Sequence, residues 1–339
     1  MVKNFRTMKK ILIPVIALLL FSCNDGKKQA DTSVTDETQS DSLVNSQTYA
    51  ELSRKKGGSW KGREYMDGEF ENVDSLDIPK EHTDHSWYIR YEGPGWENKQ
   101  VGYRLYLDWR NAIDIFGKKV DTMVLSKVGQ DGFDSYHENA DWGQDILKAG
   151  KSMGIGGYGR YMNDTVAHFR NVANTKAKVE NSANSSSVVI DYQGWNTGKD
   201  TIDLKSKLSI FPEDRYMKAE LTPSKEIEGI STGIVKLHDL ELMKKEGEKW
   251  GYIATYGAQT LVSDTDKLGM AVFYMKDELA KQVDGENDHL LVFKPTTKTI
   301  TYYFLGAWEQ EKAGITTQED FVASIDKLLN TLEKENILN

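Results

Sequence analysis

Residues 134–161 concentrate side chains that could carry out chemistry. Ser135, with Glu138 three residues later, forms a capping box, which predicts that a helix begins at Tyr136. His137 would then lie in the first helical turn, where the helix dipole opposes protonation of the imidazole. A histidine that stays neutral at pH 7 can act as a general base. A capped helix that merely exposes His137 explains the same pattern, because capping boxes are common and imply no chemistry.

A glycine-rich run follows the predicted helix at residues 154–161, and its four glycines would let the backbone approach a ligand closely. The run ends in Arg160 and Tyr161, and His168 follows closely enough for the chain to return toward His137. A cation, a base and an acid could all come from this region. The predicted catalytic residues are therefore His137, Arg160, Tyr161 and His168.

Residues 101–110 alternate between an apolar and a polar set of positions, which predicts a strand with one wet face. Arg104, Tyr106 and Arg110 lie on the polar set. Arg104 and Tyr106 would be about 7 Å apart and could contact one sugar, whereas Arg104 and Arg110 would be separated by about 20 Å. We take these three residues as candidate substrate-binding groups, with an ordinary ion-paired sheet face as the alternative.

The sequence contains 16 tyrosines and eight tryptophans, which suit either sugar stacking or the core of a β-sandwich. Trp96 ends a Gly-Pro-Gly-Trp turn and is expected to point outward. Trp142, on the predicted short helix, is a second candidate platform for a sugar. His238 lies in an alternating segment and completes the candidate binding set, although a lone histidine in a strand is more often structural.

Signals for a metal or a cofactor are weak. His82 and His85 share a polar loop, but no third ligand lies nearby in the sequence. Dinucleotide-binding, nucleotide-binding, His-Glu-x-x-His and nucleophile-elbow motifs do not occur. We therefore predict no metal and no cofactor. The net charge of −9 argues against a nucleic-acid partner but is compatible with an anionic small substrate.

The first 58 residues are predicted to precede the fold. Residues 1–23 place basic residues before a short apolar run and end in Leu-Phe-Ser-Cys, which resembles a lipobox. We expect an exported protein that is lipidated at Cys23 and anchored in the cell envelope, in the periplasm or at the outer membrane. The lipid anchor would be its sole contact with a membrane. Residues 24–58 are polar and are predicted to be a flexible tether that contributes no core.

Residues 59–339 are predicted to form a single catalytic domain. Alternating segments recur along them, separated by turn signals. At the C-terminal end, Thr316 and Glu319 predict a capped amphipathic helix. Many strands and few helices indicate a mainly β fold, a large antiparallel β-sandwich with a few short helices.

Two parts of the sequence together resemble a family of exported lipoproteins that was catalogued as a domain of unknown function and whose members accompany polysaccharide-degrading enzymes. The first part comprises residues 93–97 and 101–117, and the second comprises residues 135–138, 141–148 and 154–157. The family is similar to oligosaccharide dehydratases of ulvan breakdown, which remove water from a terminal uronic acid and leave a 4,5-unsaturated sugar. The resemblance also implies a mutarotase-like β-sandwich, as in many polysaccharide lyases.

Elimination from a uronate needs a cation that neutralises the carboxylate, a base that takes the C5 proton and an acid that protonates the departing hydroxyl. Residues 137–168 could supply all three. We therefore expect a lyase that acts on acidic, ulvan-type oligosaccharides without a metal. A non-catalytic glycan-binding lipoprotein and a glycoside hydrolase that uses Glu138 and Asp141 are the alternatives.

Overall fold

The computed structural model describes residues 47–132 and 134–338. The predicted signal, Cys23 and most of the predicted tether lie outside these residues. Within them, no helix is both long enough and apolar enough to cross a bilayer. The regular structure of this part of the chain consists of 23 strands, one α-helix and a few 3₁₀ turns.

The strands are numbered in chain order. They are β1 (Thr48–Glu51), β2 (Ser53–Lys56), β3 (Ser59–Lys61), β4 (Glu64–Met66), β5 (Glu69–Asn72), β6 (Ser75–Asp77), β7 (Gly95–Asn98), β8 (Val101–Leu105), β9 (Ile113–Lys118), β10 (Gly143–Asp145), β11 (Ile155–Met162), β12 (Thr165–Ala167), β13 (Asn174–Asn181), β14 (Ser186–Asn196), β15 (Thr201–Ile210), β16 (Tyr216–Pro223), β17 (Ile230–Val235), β18 (Met243–Glu246), β19 (Trp250–Ala258), β20 (Lys267–Met275), β21 (Leu279–Asp284), β22 (Asp288–Phe293) and β23 (Ile300–Trp308). The helix α1 (Gln318–Glu335) follows them.

The largest sheet has nine strands in the order β18-β19-β20-β23-β16-β15-β14-β13-β6, and every neighbouring pair is antiparallel. Burial alternates along much of β15, as expected for a strand with one face toward a core and one toward solvent. Two five-stranded sheets have the orders β1-β7-β8-β9-β10 and β12-β11-β17-β22-β21. Two small sheets, β2-β5 and β3-β4, lie near the N-terminal end of the described chain.

One apolar cluster joins the three large sheets. Trp96 of β7, Ile155 of β11 and Trp195 of β14 are all fully buried in it. Antiparallel sheets packed around a shared core confirm the predicted mainly β class. Trp96 does not point outward as its turn motif predicts, because it stacks on Tyr103 inside this core, with ring centroids 6.3 Å apart.

The predicted C-terminal helix is confirmed as α1. Its N-cap is Thr317, one residue later than predicted, and the Thr317 side chain accepts a hydrogen bond from the Asp320 backbone N–H. Phe321 stacks on Tyr256 of β19, with ring centroids 5.4 Å apart. The apolar side of α1 therefore closes a second, smaller core against the nine-stranded sheet.

The prediction that residues 24–58 form a flexible tether is wrong for residues 48–56. β1 is fully buried and pairs with β7 at the edge of a five-stranded sheet. Glu51 of β1 forms a buried ion pair with Arg90. β2 pairs with β5 and carries Lys55. These strands are short and polar, so their composition resembles that of a linker although their backbones extend two sheets.

The helix predicted to begin at Tyr136 does not form. Asp134–Tyr136 is a single 3₁₀ turn, and the strand β10 follows. Gly143 explains the difference, because its φ is 131° and a Cβ there would lie 1.8 Å from the Gly117 carbonyl oxygen. The pairing of β10 with β9 takes the place of the helix and carries Asp145 into the interior.

Candidate active site

β8 carries Arg104 into the interior, so the predicted wet face of this strand is wrong. β8 lies between β7 and β9, and all five of its residues are buried. The Arg104 side chain is 1% exposed, and its Nη2 lies 3.1 Å from Asp114 and also forms an ion pair with Asp145. The charge of this buried guanidinium is balanced by two carboxylate partners, so the geometry favours a positioning role for Arg104 over direct contact with a ligand.

The Tyr106 ring lies against both of the arginines that were predicted to bind substrate. Its centroid is 4.5 Å from Arg104 Cζ and 3.9 Å from Arg110 Cζ. Its hydroxyl donates a hydrogen bond to Asp114 at 2.7 Å. The two guanidinium groups are not about 20 Å apart as an unbroken strand predicts, because β8 ends before Tyr106 and residues 107–110 form a turn.

Arg110 is surrounded by three carboxylates. It forms ion pairs with Asp108, with Asp84 at 2.9 Å and with Glu92 at 3.3 Å. Burial raises the pKa of Glu92, although Arg104 and Arg110 act in the opposite direction. Glu92 therefore keeps its proton to a higher pH than an ordinary glutamate. Both arginines are therefore paired with carboxylates of the protein.

His137 is the exposed member of the same network. Its Nε2 lies 3.3 Å from Asp145 Oδ2, and its side chain is 30% exposed, whereas that of Asp145 is 1% exposed. A buried carboxylate in this place orients an imidazole and stabilises its protonated form. Tyr136 lies beside His137, with ring centroids 4.5 Å apart, and its hydroxyl accepts a hydrogen bond from Arg104. Asp145, and not a helix dipole, therefore sets the position of His137.

Asp114 and Asp145 share one arginine and lie close together. Burial, reinforced by the charge of Asp145, raises the pKa of Asp114 to about 7. Asp114 therefore exchanges its proton near neutral pH. The charge of the network that holds His137 changes in the same range.

A cavity of about 330 Å³ adjoins this network. We call it the Lys55 cavity, and it is lined by Lys55, Phe70, Trp87, Ile89, Tyr91, Glu92, Gly129, Gly132 and Tyr136. Glu92 and Tyr136 connect it to the arginines. Aromatic walls with a few polar groups suit a sugar, and the volume is at the lower end of the roughly 300–1,000 Å³ of small-molecule sites.

Lys55 is a functional candidate that no sequence pattern indicates. Within residues 47–132 and 134–338, no carboxylate lies within ion-pair distance of its ammonium group, which is 5.7 Å from the Phe70 ring. A lysine without an anionic partner at the wall of a cavity attracts anions. The sequence gives little signal, because Lys55 stands in a four-residue strand of polar side chains.

The segment that forms one wall of the Lys55 cavity has a strained backbone. Among the described residues, five with positive φ are neither glycine, asparagine nor aspartate, and four of these lie in this segment. They are His85 (55°), Trp87 (61°), Tyr91 (39°) and Glu92 (69°). Such conformations cost roughly 1–3 kcal/mol each and cluster at functional sites. Their grouping supports the Lys55 cavity as the working site.

Asp84, His85 and Glu92 form a group that could hold a metal ion. One ligand atom from each lies within 4.8 Å of the others. Arg110 faces the carboxylates of both Asp84 and Glu92, so its guanidinium already balances part of their charge. His82, the other histidine of the predicted loop, instead bonds to a serine hydroxyl 2.8 Å from its Nδ1. The donor atoms suit a divalent cation, but the position of Arg110 competes with one.

The structure does not assemble the four predicted catalytic residues at one point. Arg160 forms an ion pair with Asp200 at 2.8 Å. Tyr161 donates its hydroxyl to a surface aspartate at 3.0 Å. His168 bonds through Nδ1 to the Arg110 carbonyl at 2.9 Å, and it lines a separate cavity of about 30 Å³ together with Tyr161. Of the four, His137 alone contacts Asp145, the carboxylate that pairs with Arg104, among the contacts of the described part of the chain.

The other predicted candidates lie away from the Lys55 cavity lining. Trp142 is half-buried against Phe116, with ring centroids 6.1 Å apart. His238 is exposed in a turn beyond the end of β17, with a φ of 53°, and is therefore not in a strand as predicted. Glu138 and Asp141, the carboxylates considered for a hydrolase, are both exposed.

A family model described as a domain of unknown function (DUF4861) matches residues 17–335 of the chain. No curated protein matches. Among solved structures, the chain is similar to a 4-alpha-glucanotransferase from Thermococcus litoralis, with 9% identity and a TM-score of 0.31 over 69% of this chain and 39% of that chain. It is also similar to a protein described as a kojibiose phosphorylase from the human microbiome, with 10% identity and a TM-score of 0.31 over 69% of this chain and 32% of that chain. The chain thus spans about a third to two fifths of the length of these structures, and TM-scores this low establish no common fold.

Proposed function

The chain belongs to the DUF4861 family, and we propose that this member is a lyase that removes water from the terminal uronic acid of an acidic, ulvan-type oligosaccharide. The observation that carries the proposal is the His137–Asp145 pair. The His137 ring packs beside the ring of Tyr136, and Tyr136 lines the Lys55 cavity. An oriented histidine, together with a cation and a carboxyl group of raised pKa that line one sugar-sized cavity, offers the groups that elimination requires.

Lys55 is the cation in this scheme. Arg104 and Arg110 are held by carboxylates of the protein, whereas Lys55 has no such partner among the residues described. An ammonium group at the uronate carboxylate withdraws charge from it and makes the C5 proton more acidic. Trp87 and Phe70 line the same cavity and offer apolar faces to the sugar ring.

His137 is the base and Glu92 is the acid. His137, which Asp145 orients, takes the C5 proton. Glu92, whose pKa is raised by burial, gives its proton to the departing 4-hydroxyl. The C5–H and C4–O bonds break, a C4=C5 double bond forms and water leaves, so the atoms and electrons balance without an oxidant or a reductant. His137 then loses its proton to solvent and Glu92 regains one.

The size of the Lys55 cavity favours action at a chain end. Its volume of about 330 Å³ accommodates about one sugar ring rather than a stretch of polysaccharide. A terminal uronate fits this space with its carboxylate toward Lys55.

Ultraviolet absorbance of the unsaturated product tests the proposal directly. Wild-type protein incubated with uronate-ended oligosaccharides should produce the chromophore. His137→Ala should lower turnover by roughly 10²–10⁴-fold while oligosaccharide affinity persists. Asn139→Ala, at an exposed neighbouring position, is the matched control and should behave like the wild type.

Three results would contradict the proposed lyase activity. Binding of uronates without any rise in absorbance would favour a glycan-binding protein. New reducing ends without the chromophore would favour a hydrolase. Normal turnover in His137→Ala would remove this residue from the mechanism.

A further inference from the structure

A larger cavity, of about 710 Å³, has no role in the mechanism above. We call it the Arg170 cavity, and its polar and aromatic lining includes Lys80, His82, Trp109, Arg170, Asn171 and Asn196. The turn after β8 supplies Trp109, and the segment between β12 and β13 supplies Arg170 and Asn171. It has no lining residue in common with the Lys55 cavity.

The Arg170 cavity is positively charged in a protein whose net charge is −9. Lys80 and Arg170 are exposed, and neither forms an ion pair with a carboxylate in the described part of the chain. Asp108 is the one acidic residue of the lining, and Arg110 Nε binds both of its oxygens, at 3.0 and 2.9 Å. The cavity therefore presents two cations that form no ion pair with a described carboxylate.

The same cavity has the other groups that recognise a sugar. Arg170 Cζ lies 3.5 Å from the centroid of the Trp109 ring, so the two side chains form a flat surface edged with hydrogen-bond donors. His82 is 8% exposed, and its Nε2 has no hydrogen-bond partner among the described residues. A buried polar atom of this kind on a cavity wall can bond a ligand hydroxyl. Asn171 and Asn196 add amide groups.

We propose that the Arg170 cavity is a second binding site for anionic sugars, in which Lys80 and Arg170 hold a carboxylate or a sulfate group. Arg110 contacts Glu92 of the Lys55 cavity and Asp108 of the Arg170 cavity, so the two sites adjoin through one side chain. We assign to the Arg170 cavity the inner residues of the oligosaccharide whose end enters the Lys55 cavity. This assignment rests on the proposed function, whereas the binding of anionic sugars does not.

Calorimetric binding of three tetrasaccharides to the full chain tests the site: a polyuronate, a sulfated neutral-sugar chain and an uncharged chain. Lys80→Gln/Arg170→Gln should weaken binding of a charged tetrasaccharide roughly tenfold or more and reduce its salt dependence. Binding of the uncharged chain should not change. The charged chain that loses more affinity identifies the recognised group as carboxylate or sulfate. Lys327→Gln/Lys334→Gln, on the exposed side of α1, changes the net charge equally and is the control.

A second variant removes the risk that loss of Arg170 disturbs Trp109. Lys80→Glu alters an exposed side chain and should also weaken binding of charged tetrasaccharides roughly tenfold or more. Unchanged affinities in Lys80→Glu would overturn the site. If the wild-type protein binds charged tetrasaccharides but forms no chromophore, the second binding site is supported and the proposed lyase activity is contradicted.

Discussion

Asp114 and Asp145 both form ion pairs with the buried guanidinium of Arg104, but they differ in their other contacts. Asp145 faces His137, and Asp114 accepts a hydrogen bond from the Tyr106 hydroxyl. Asp114, with its pKa raised to about 7 by burial, is largely protonated just below neutral pH. An amide resembles a protonated carboxyl, so the same substitution has different consequences at the two positions.

Asp145→Asn should lower turnover of uronate oligosaccharides roughly 10²-fold or more, because the imidazole of His137 loses the anion that orients it. Asp114→Asn, measured at pH 6, should change turnover less than about threefold. Initial rates of both variants and the wild type check these expectations. Equal losses in the two variants would show that Asp145 acts only through the stability of the network.

Asp288 gives the protein a pH-dependent stability. It is 2% exposed, and its carboxylate accepts a hydrogen bond from the Met153 backbone N–H at 2.9 Å. Burial raises its pKa to about 7. The folded protein thus holds a proton that the unfolded chain releases near pH 4, so the contribution of Asp288 to stability is present below about pH 4 and is lost as the pH rises to about 7.

Asp288→Asn cannot ionise and should therefore raise the melting temperature at pH 8 but have little effect at about pH 4. The free-energy gain at pH 8 should be on the order of 1–4 kcal/mol. Thermal melts of both proteins across this pH range measure it. A melting-temperature difference that is the same at every pH would refute the assignment.

At the scale of elements, β2 offers a matched pair of lysines. Successive residues of a strand face opposite ways, so Lys55 lines the cavity while Lys56 is exposed and pairs with Glu71 at 3.2 Å. Lys55→Gln should reduce kcat/KM for uronates roughly tenfold or more, because the substrate carboxylate loses its cation. Lys56→Gln should leave kcat/KM within about twofold of the wild type, as expected for an exposed ion pair.

Steady-state kinetics on a uronate and on its methyl ester complete this test. The ester carries no charge, so Lys55→Gln should narrow the preference for the free acid over the ester. Equal kinetics in the two lysine variants would place the substrate carboxylate elsewhere.

At the scale of the whole molecule, the N-terminal strands belong to the fold. Chains that begin at Asn24 and at Gln47 should melt at similar temperatures. A chain that begins at Ser59 lacks β1 and β2 and leaves the buried Arg90 without Glu51. Loss of one partner of a buried ion pair costs roughly 3–5 kcal/mol, so this chain should be insoluble or melt at a much lower temperature. Circular dichroism measures the melting temperatures. An unchanged melting temperature for the chain that begins at Ser59 would support the predicted start of the folded domain at residue 59.

Local patterns predict the class of the molecule but not its site. Alternation predicts the antiparallel sheets, and a cap with an amphipathic stripe predicts α1, because both depend on neighbouring residues. The pair of Arg104 with Asp145 joins residues 41 positions apart, and no periodicity encodes that both would be buried. Lys55 is not predicted either, because it stands in a short polar strand whose composition resembles that of a linker. His137 is predicted as a candidate, but from a helix that the structure does not contain.

The left-handed conformations of four residues, His85, Trp87, Tyr91 and Glu92, imply a trade-off between stability and activity when this protein is evolved in the laboratory. Glycine adopts positive φ without strain, so replacing Trp87 with glycine relieves a conformational cost of roughly 1–3 kcal/mol but removes a wall of the Lys55 cavity. A library screened for thermostability alone would therefore enrich glycine at these four positions and yield thermostable but inactive proteins. Screens that demand turnover at every round would keep the bulky side chains and accept the lower melting temperature.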